Sequence, residues 1–405
     1  MVFKLINKLI LILTKYSVFR LFLLKVSDLL ELLIPKKDIV IFGAMNGNWF
    51  GDNAKYMFVF SHLSTKGFKQ IWLTKNIRVY RDLKSQDLPV CYIHSPKGIY
   101  YQFSAKVGLY TDSLYDLFIS PYFVSKTIKL IALRHGRSVK RVRFARLNHK
   151  ISEKEFRERK IESRLITYAS STSNFVSEIQ EKCLNIGINK HIVTGYPRND
   201  LMLQKAKDYD AKSKLYGDKR IILYAPTWRH GREITSFFPF DSLQLDTLNN
   251  RLLELNIVLL LRPHVTELIA SKLLRSKLDY FSSFSNIKIA SHEKHPDVNN
   301  LLPHVDMLLS DYSALYHDYL LLDRPIGLIP YDYDSFNRNN GFLYSYMDLM
   351  PGRKILTTEN LMDFLDEIDN PGLYSESRKK LRNLIFENPP GKGRINTFRL
   401  INDLL

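Results

Sequence analysis

Two histidines, far apart in the chain, sit where residue types and spacing could do chemistry. The first lies in Leu133-Arg134-His135-Gly136-Arg137-Ser138-Val139-Lys140, and the second closes Leu261-Arg262-Pro263-His264 at the end of an apolar run. Imidazole exchanges a proton near neutral pH, and guanidinium grips phosphate through paired N–H donors. His135 is flanked by cations, which favours the neutral ring that a general base requires. Gly136 beside it permits close backbone approach. Arg262 and His264 follow a strand-like segment and could both be aimed at a phosphate. A third element, Ser310-Asp311-Tyr312-Ser313, follows another apolar run and is expected to open a helix. Free amides at such an opening make an anion site, and capping by Ser310 or Asp311 is compatible with it. Together these groups describe a cleft where a phosphorylated donor meets an acceptor.

The elements that must position them alternate. Residues 38–42, 70–74, 88–93, 107–111 and 128–133 read as strands with helical patterns between several of them. A second series reads at 220–224, 256–261, 287–290, 307–310 and 326–330. Such alternation predicts mostly parallel, doubly wound sheets. Each strand of the second series ends in a polar or basic tip, where open α/β sheets bind ligands. Two such sheets facing each other define a GT-B fold: two Rossmann-like domains with the active site in the cleft between them. The expected organisation is a helix over 1–35, an N-terminal domain over 36–200 on the acceptor side, a C-terminal domain over 201–390 on the donor side, and a helix over 391–405 crossing back.

A net charge of +18 over 405 residues calls for an acidic partner. The charge is concentrated: residues 126–164 hold fourteen Lys or Arg against four acidic residues, beside His135. The basic residues are not interleaved with stacking aromatics, so nucleic acid is not expected. Cys91 and Cys183 have no metal or redox spacing, which fits a reducing compartment. Residues 1–34 are apolar but interrupted by Lys4, Lys8, Lys15, Arg20 and Lys25. No run reaches the roughly 18 apolar residues needed to span a bilayer. Four of these lysines share one sector of a helix, which suits a helix lying on anionic lipid; an ordinary docking helix with exposed lysines is the alternative.

Other patterns carry less. Gly43, Gly47 and Gly51 lack the P-loop and dinucleotide spacings; they read either as a flexible loop at the cleft that touches the acceptor or as plain turn glycines. His292-x-x-His295, with His304, lacks the zincin spacing, and Pro296 breaks a shared helical face. Asp332-Tyr333-Asp334 reads as a loop element. No metal and no cofactor is expected.

The motifs resemble the CDP-glycerol glycerophosphotransferases, the teichoic-acid primases and polymerases and related capsule polymerases. Five stretches carry the likeness, from about Ile39 to the C-terminus. They are Arg134-His135-Gly136-Arg137-Ser138-Val139-Lys140, Thr194-Gly195-Tyr196-Pro197-Arg198-Asn199-Asp200, Tyr224-Ala225-Pro226-Thr227-Trp228-Arg229, Arg262-Pro263-His264, and Ser310-Asp311-Tyr312-Ser313-Ala314 with Asp318-Tyr319 and Arg324-Pro325. Arg134 stands where the family has Trp, Arg137-Ser138 where it has Thr-Pro, and Val265 where it has Pro.

The resemblance implies a metal-independent GT-B enzyme. It would move a polyol phosphate, glycerol phosphate first, from a CDP-linked donor to a hydroxyl of a lipid-linked or polymeric acceptor, releasing CMP. It would work as a peripheral protein at the cytoplasmic face of the cell membrane. His135 would be the base and His264 a donor-phosphate ligand. Arg262, Thr227, Ser310, Asp311 and Ser313 would form the donor site, and Gly136, Arg137, Lys140 and Arg198 would meet acceptor or phosphate. The two arginines beside the base suggest a more anionic acceptor. Two rivals stand: a GT-B glycosyltransferase using a nucleotide sugar, and a basic, non-catalytic membrane-binding protein.

Overall fold

The computed structural model describes residues 9–10, 12–64, 67–146, 151–205, 216–229, 235–387 and 390–405. Lys4 and Lys8 of the expected lysine stripe lie outside the described residues.

Near-continuous apolar runs such as Ile39-Val40-Ile41-Phe42 and Ile257-Val258-Leu259-Leu260-Leu261 are buried on both faces, as parallel strands require. Strands β1 (Lys37–Phe42), β2 (Lys69–Thr74), β3 (Val90–Tyr92), β4 (Ala105–Tyr110), β5 (Lys129–Ala132), β6 (Ile166–Ser171) and β7 (His191–Val193) form one parallel sheet in the order β3-β2-β1-β4-β5-β6-β7. Strands β8 (Arg220–Tyr224), β9 (Ile257–Leu261), β10 (Ile287–Ile289), β11 (Met307–Ser310), β12 (Ile326–Leu328) and β13 (Arg353–Lys354) form a second, in the order β10-β9-β8-β11-β12-β13. The strand order reverses between β1 and β4 in the first sheet and between β8 and β11 in the second. Those switch points open a crevice beyond the carboxyl ends of the strands, and the cleft lies there.

Three strands fall outside the sequence reading. β6 ends in Ala169-Ser170-Ser171, too polar to read as a buried run, and β7 and β13 have only three and two residues. β7 is followed by the helix Pro197–Lys205, which leads from the first sheet towards the second.

The last helix, Gly393–Leu404, packs back on the first sheet, with Ile401 and Phe398 among Val40, Phe42, Phe58 and Trp72. Asp200 ties its start, accepting from the backbone N–H of Gly393 (2.9 Å) and Arg394 (2.7 Å).

The first helix, Ser17–Leu33, is apolar on two faces. One docks Phe19, Leu23 and Leu30 on Phe103, Tyr122 and Phe123. Ser27 donates to the Val124 carbonyl at 2.8 Å, and Glu31 accepts from the Lys126 amide at 2.6 Å. The other face leaves Val18, Leu21, Phe22, Leu29, Leu32 and Leu33 exposed, with Lys25 among them. This spacing is one helical stripe. No helix of the described residues is long and apolar enough to cross a membrane.

Candidate active site

A cleft of about 370 Å³ separates the two sheets, and both histidines line it. His135 lies beyond β5 and His264 beyond β9, so they come from opposite walls. Arg262 and Ser313 line the donor wall, with Ala225 and Pro226 at the tip of β8.

His135 is held by a strained loop. Arg134 before it has φ +60° and Gly136 after it φ +147°. The backbone conformation of Gly136 disfavours a side chain, and a Cβ there would crowd Arg198 Nη2 at 3.3 Å. Nearly half of the His135 side chain (47%) is exposed, while its Nδ1 lies 4.0 Å from Asp112 Oδ1. Desolvation by the cleft walls and then the Arg134 charge lower its pKa, against the pull of Asp112 and Asp52. Asp112 follows β4. Burial would raise its pKa, but His135, Arg143 and Arg159 together hold it below the usual carboxylate value.

On the donor wall, Arg262 donates to the Ala290 carbonyl (3.1 Å) and meets His292 Nδ1 at 3.3 Å. His292 lies just beyond β10 and lines the cleft. Burial, then Arg262 and His264, lower its pKa to about 4, so the ring is neutral. With Nδ1 accepting from Arg262, the proton sits on Nε2, free to be given to a phosphate oxygen. The His264 ring stacks on Trp228 at 5.4 Å and 14°.

Several expected site residues are placed elsewhere. Ser310 and Asp311 do not open a helix: Ser310 ends β11, and the next helix starts at Leu315 and has five residues. Both side chains are buried below the cleft floor. Ser310 donates to the Ala225 carbonyl (2.9 Å). Asp311 accepts from the Thr227 amide and from Arg229, each at 2.8 Å. They brace the strand tip, as does Asp332, which accepts from Nε and Nη2 of Arg229 (2.7 and 2.9 Å). Thr227 is buried beside them, whereas Ser313 lines the cleft and caps the Leu315 amide.

Arg137 does not face an acceptor. It is buried and gives its donors to Asp318 (2.7 Å), Asn199 (2.9 Å) and Thr172 (3.1 Å), between the rings of Tyr196 and Phe386. Arg198 bridges Asp318 (2.7 Å), Asp52 (2.8 Å) and the His135 carbonyl (2.8 Å). Asp318, from the second domain, therefore clamps two arginines of the first. Arg134 is buried within the first domain, and its Nε and Nη1 have no hydrogen-bond partner among the described residues. Lys140 is largely buried near Asp311 and Arg229, with its pKa lowered to about 8 by that burial.

Asp112 is a site residue the motifs did not single out, and they bring in His292 only as a candidate metal ligand. Both follow strand ends, and that rule could have found them. Among the described residues no group of three or more His, Cys, Asp or Glu could hold a metal ion.

Two parallel sheets facing across a cleft, with His135 on one wall and Arg262, His264 and His292 on the other, define a GT-B fold. The chain belongs to the CDP-glycerol:poly(glycerophosphate) glycerophosphotransferase family, whose model matches residues 27–401. It is 30% identical over 188 residues to a teichoic acid poly(ribitol-phosphate) polymerase of Bacillus spizizenii, covering 45% of this chain and 29% of that one. It is 25% identical over 363 residues to a teichoic acid glycerol-phosphate transferase of Staphylococcus aureus, covering 85% and 88%. The fold matches the wall teichoic acid polymerase TagF with a TM-score of 0.73 at 24% identity, over 97% of this chain and 96% of that one. The chain spans less than half the length of the two polymerases it matches at 30% and 26% identity.

Proposed function

We propose that this protein transfers a polyol phosphate, glycerol phosphate first, from a CDP-linked donor to a hydroxyl of a membrane-linked acceptor, releasing CMP. The observation that supports it best is His135 facing Arg262, His264 and His292 across one cleft. The Asp112 carboxylate, 4.0 Å from Nδ1 of His135, favours a proton on that nitrogen, which leaves Nε2 as the base. The acceptor oxygen loses its proton to His135 and attacks the phosphorus that carries the polyol. The bond from that phosphorus to the bridging oxygen breaks, and CMP leaves with the oxygen. Arg262 and the two histidines of the donor wall stabilise charge on the transferring and departing phosphates.

The experiment is incubation with CDP-glycerol, CDP-ribitol and a panel of nucleotide sugars, with and without EDTA. CMP release from a CDP-polyol that survives EDTA is the expected result. Release of a nucleoside diphosphate from a sugar donor would establish the glycosyltransferase instead, and a loss restored only by a divalent cation would establish a metal-assisted reaction.

The same reading places the protein at the cytoplasmic face of the membrane as a peripheral enzyme. The outward stripe of the helix Ser17–Leu33 supports it, because that much exposed apolar surface suits a lipid interface. Removing the helix would uncover Phe103 and Phe123, so substitution of the stripe is the cleaner test. Phe22→Glu with Leu29→Glu and Leu32→Glu is expected to abolish sedimentation with anionic vesicles at unchanged thermal stability. Equal sedimentation of both proteins would move the anchor to another surface, the basic stretch 126–164 first.

A further inference from the structure

The acceptor wall of the cleft differs in character from the donor wall. Its described lining residues are Met45, Trp49, Asp52, His135 and Arg198. Arg198 is the one permanent cation among them, and Asp52 and Asp318 neutralise it. The arginines flanking the base point away from the cleft, Arg137 into the Asp318 clamp and Arg134 into the first domain. The wall that meets the acceptor is therefore neutral to acidic, although the chain as a whole is strongly basic.

Trp49 is built into that wall. The loop after β1 runs through Met45, Asn46 and Gly47 with φ of 49°, 58° and 77°, three left-handed residues in succession. Asn46 anchors it, its amide donating to Asp116 (2.6 Å) and its side-chain oxygen accepting from Ser113 (2.7 Å). The loop delivers Trp49 onto Gly51. A Cβ on Gly51 would lie 2.4, 2.5 and 2.5 Å from three atoms of the indole, so the ring lies flat over the glycine. One indole face is thereby covered and the ring is held in place. Trp49 is half-buried and lines the cleft, which leaves its other face to a ligand.

We infer that Trp49 is a stacking platform for a neutral sugar ring at the accepting end of the acceptor. A pyranose presents a flat array of C–H groups that buries well against an indole face. A terminus ending in polyol phosphate would instead bring its charge to a wall with no unpaired cation among its described lining residues. The protein then adds its unit to a saccharide terminus and extends a polyol-phosphate chain poorly. This inference rests on the phosphotransfer reading.

The test uses two lipid-linked acceptors, one ending in a neutral pyranose and one in glycerol phosphate, with CDP-glycerol as donor. The unaltered protein is expected to prefer the pyranose in kcat/KM by on the order of tenfold or more. Trp49→Ala is expected to raise KM for the pyranose acceptor about tenfold, with the Kd for CDP-glycerol unchanged by calorimetry. Trp49→Phe, which keeps a ring, should recover most of that loss. Gly51→Ala, which displaces the indole, should repeat the Trp49→Ala result. Equal or better use of the glycerol-phosphate acceptor would overturn the inference. So would an unchanged KM in Trp49→Ala, or a loss in Trp49→Phe as large as in Trp49→Ala. Failure of the unaltered protein to release CMP with either acceptor would instead sink the phosphotransfer reading.

Discussion

His135→Ala is expected to lower turnover by about 10²-fold or more while leaving donor affinity nearly intact. The ring projects from one wall of the cleft, whereas Arg262, His264 and His292, the proposed donor ligands, line the other. Steady-state CMP release, with CDP-glycerol affinity measured by calorimetry, separates the two effects. A folded His135→Ala protein with near-normal turnover would remove the base from the mechanism. The pH profile carries the same assignment. Desolvation and Arg134 depress the His135 pKa, so kcat/KM should fall only as the pH drops below the ordinary imidazole value of about 6.5. Asp112 raises that pKa, so Asp112→Asn should move the acid limb to still lower pH.

Asp318→Ala is expected to destabilise the protein by roughly 3–5 kcal/mol, because it strands Arg137 and Arg198 as buried, unpaired charges. Asp318 is 2% exposed and accepts from both arginines and from Asn199, so no solvent replaces it. Asp318→Asn keeps one acceptor oxygen and should lose less. Denaturant unfolding followed by circular dichroism reads the difference; a shift under about 1 kcal/mol would show that the clamp contributes little. Its pH dependence has a definite sign. Arg198 and Arg137 hold the Asp318 pKa below its usual value despite full burial. The stabilisation is complete above the unfolded carboxylate pKa of about 3.9 and is lost as the pH falls through the lower, folded value. Activity should fall with the clamp, since Arg198 also holds the His135 carbonyl.

The sequence by itself determined the class of fold and singled out two histidines that line the cleft. Runs such as 39–42 and 257–261 are apolar throughout because parallel strands are buried on both faces, and that signal is local. His135 and His264 were legible because glycine, proline and arginine beside them mark strand ends where a ligand can approach. The tertiary structure decided what the neighbouring charges do. Arg134 and Arg137 read as a basic acceptor site in one dimension, yet burial and a carboxylate 181 positions away turn Arg137 into a clamp between domains. Ser310 and Asp311 read as a helix opening, but the chain continues past them before the helix starts, and their partners are Ala225, Thr227 and Arg229 of a strand tip distant in sequence. Likewise only packing turns Trp49 and Gly51 from loop residues into an ordered ring face. A side chain's composition is written locally, but its partner and its exposure depend on which strands become neighbours, and long-range pairing sets that order.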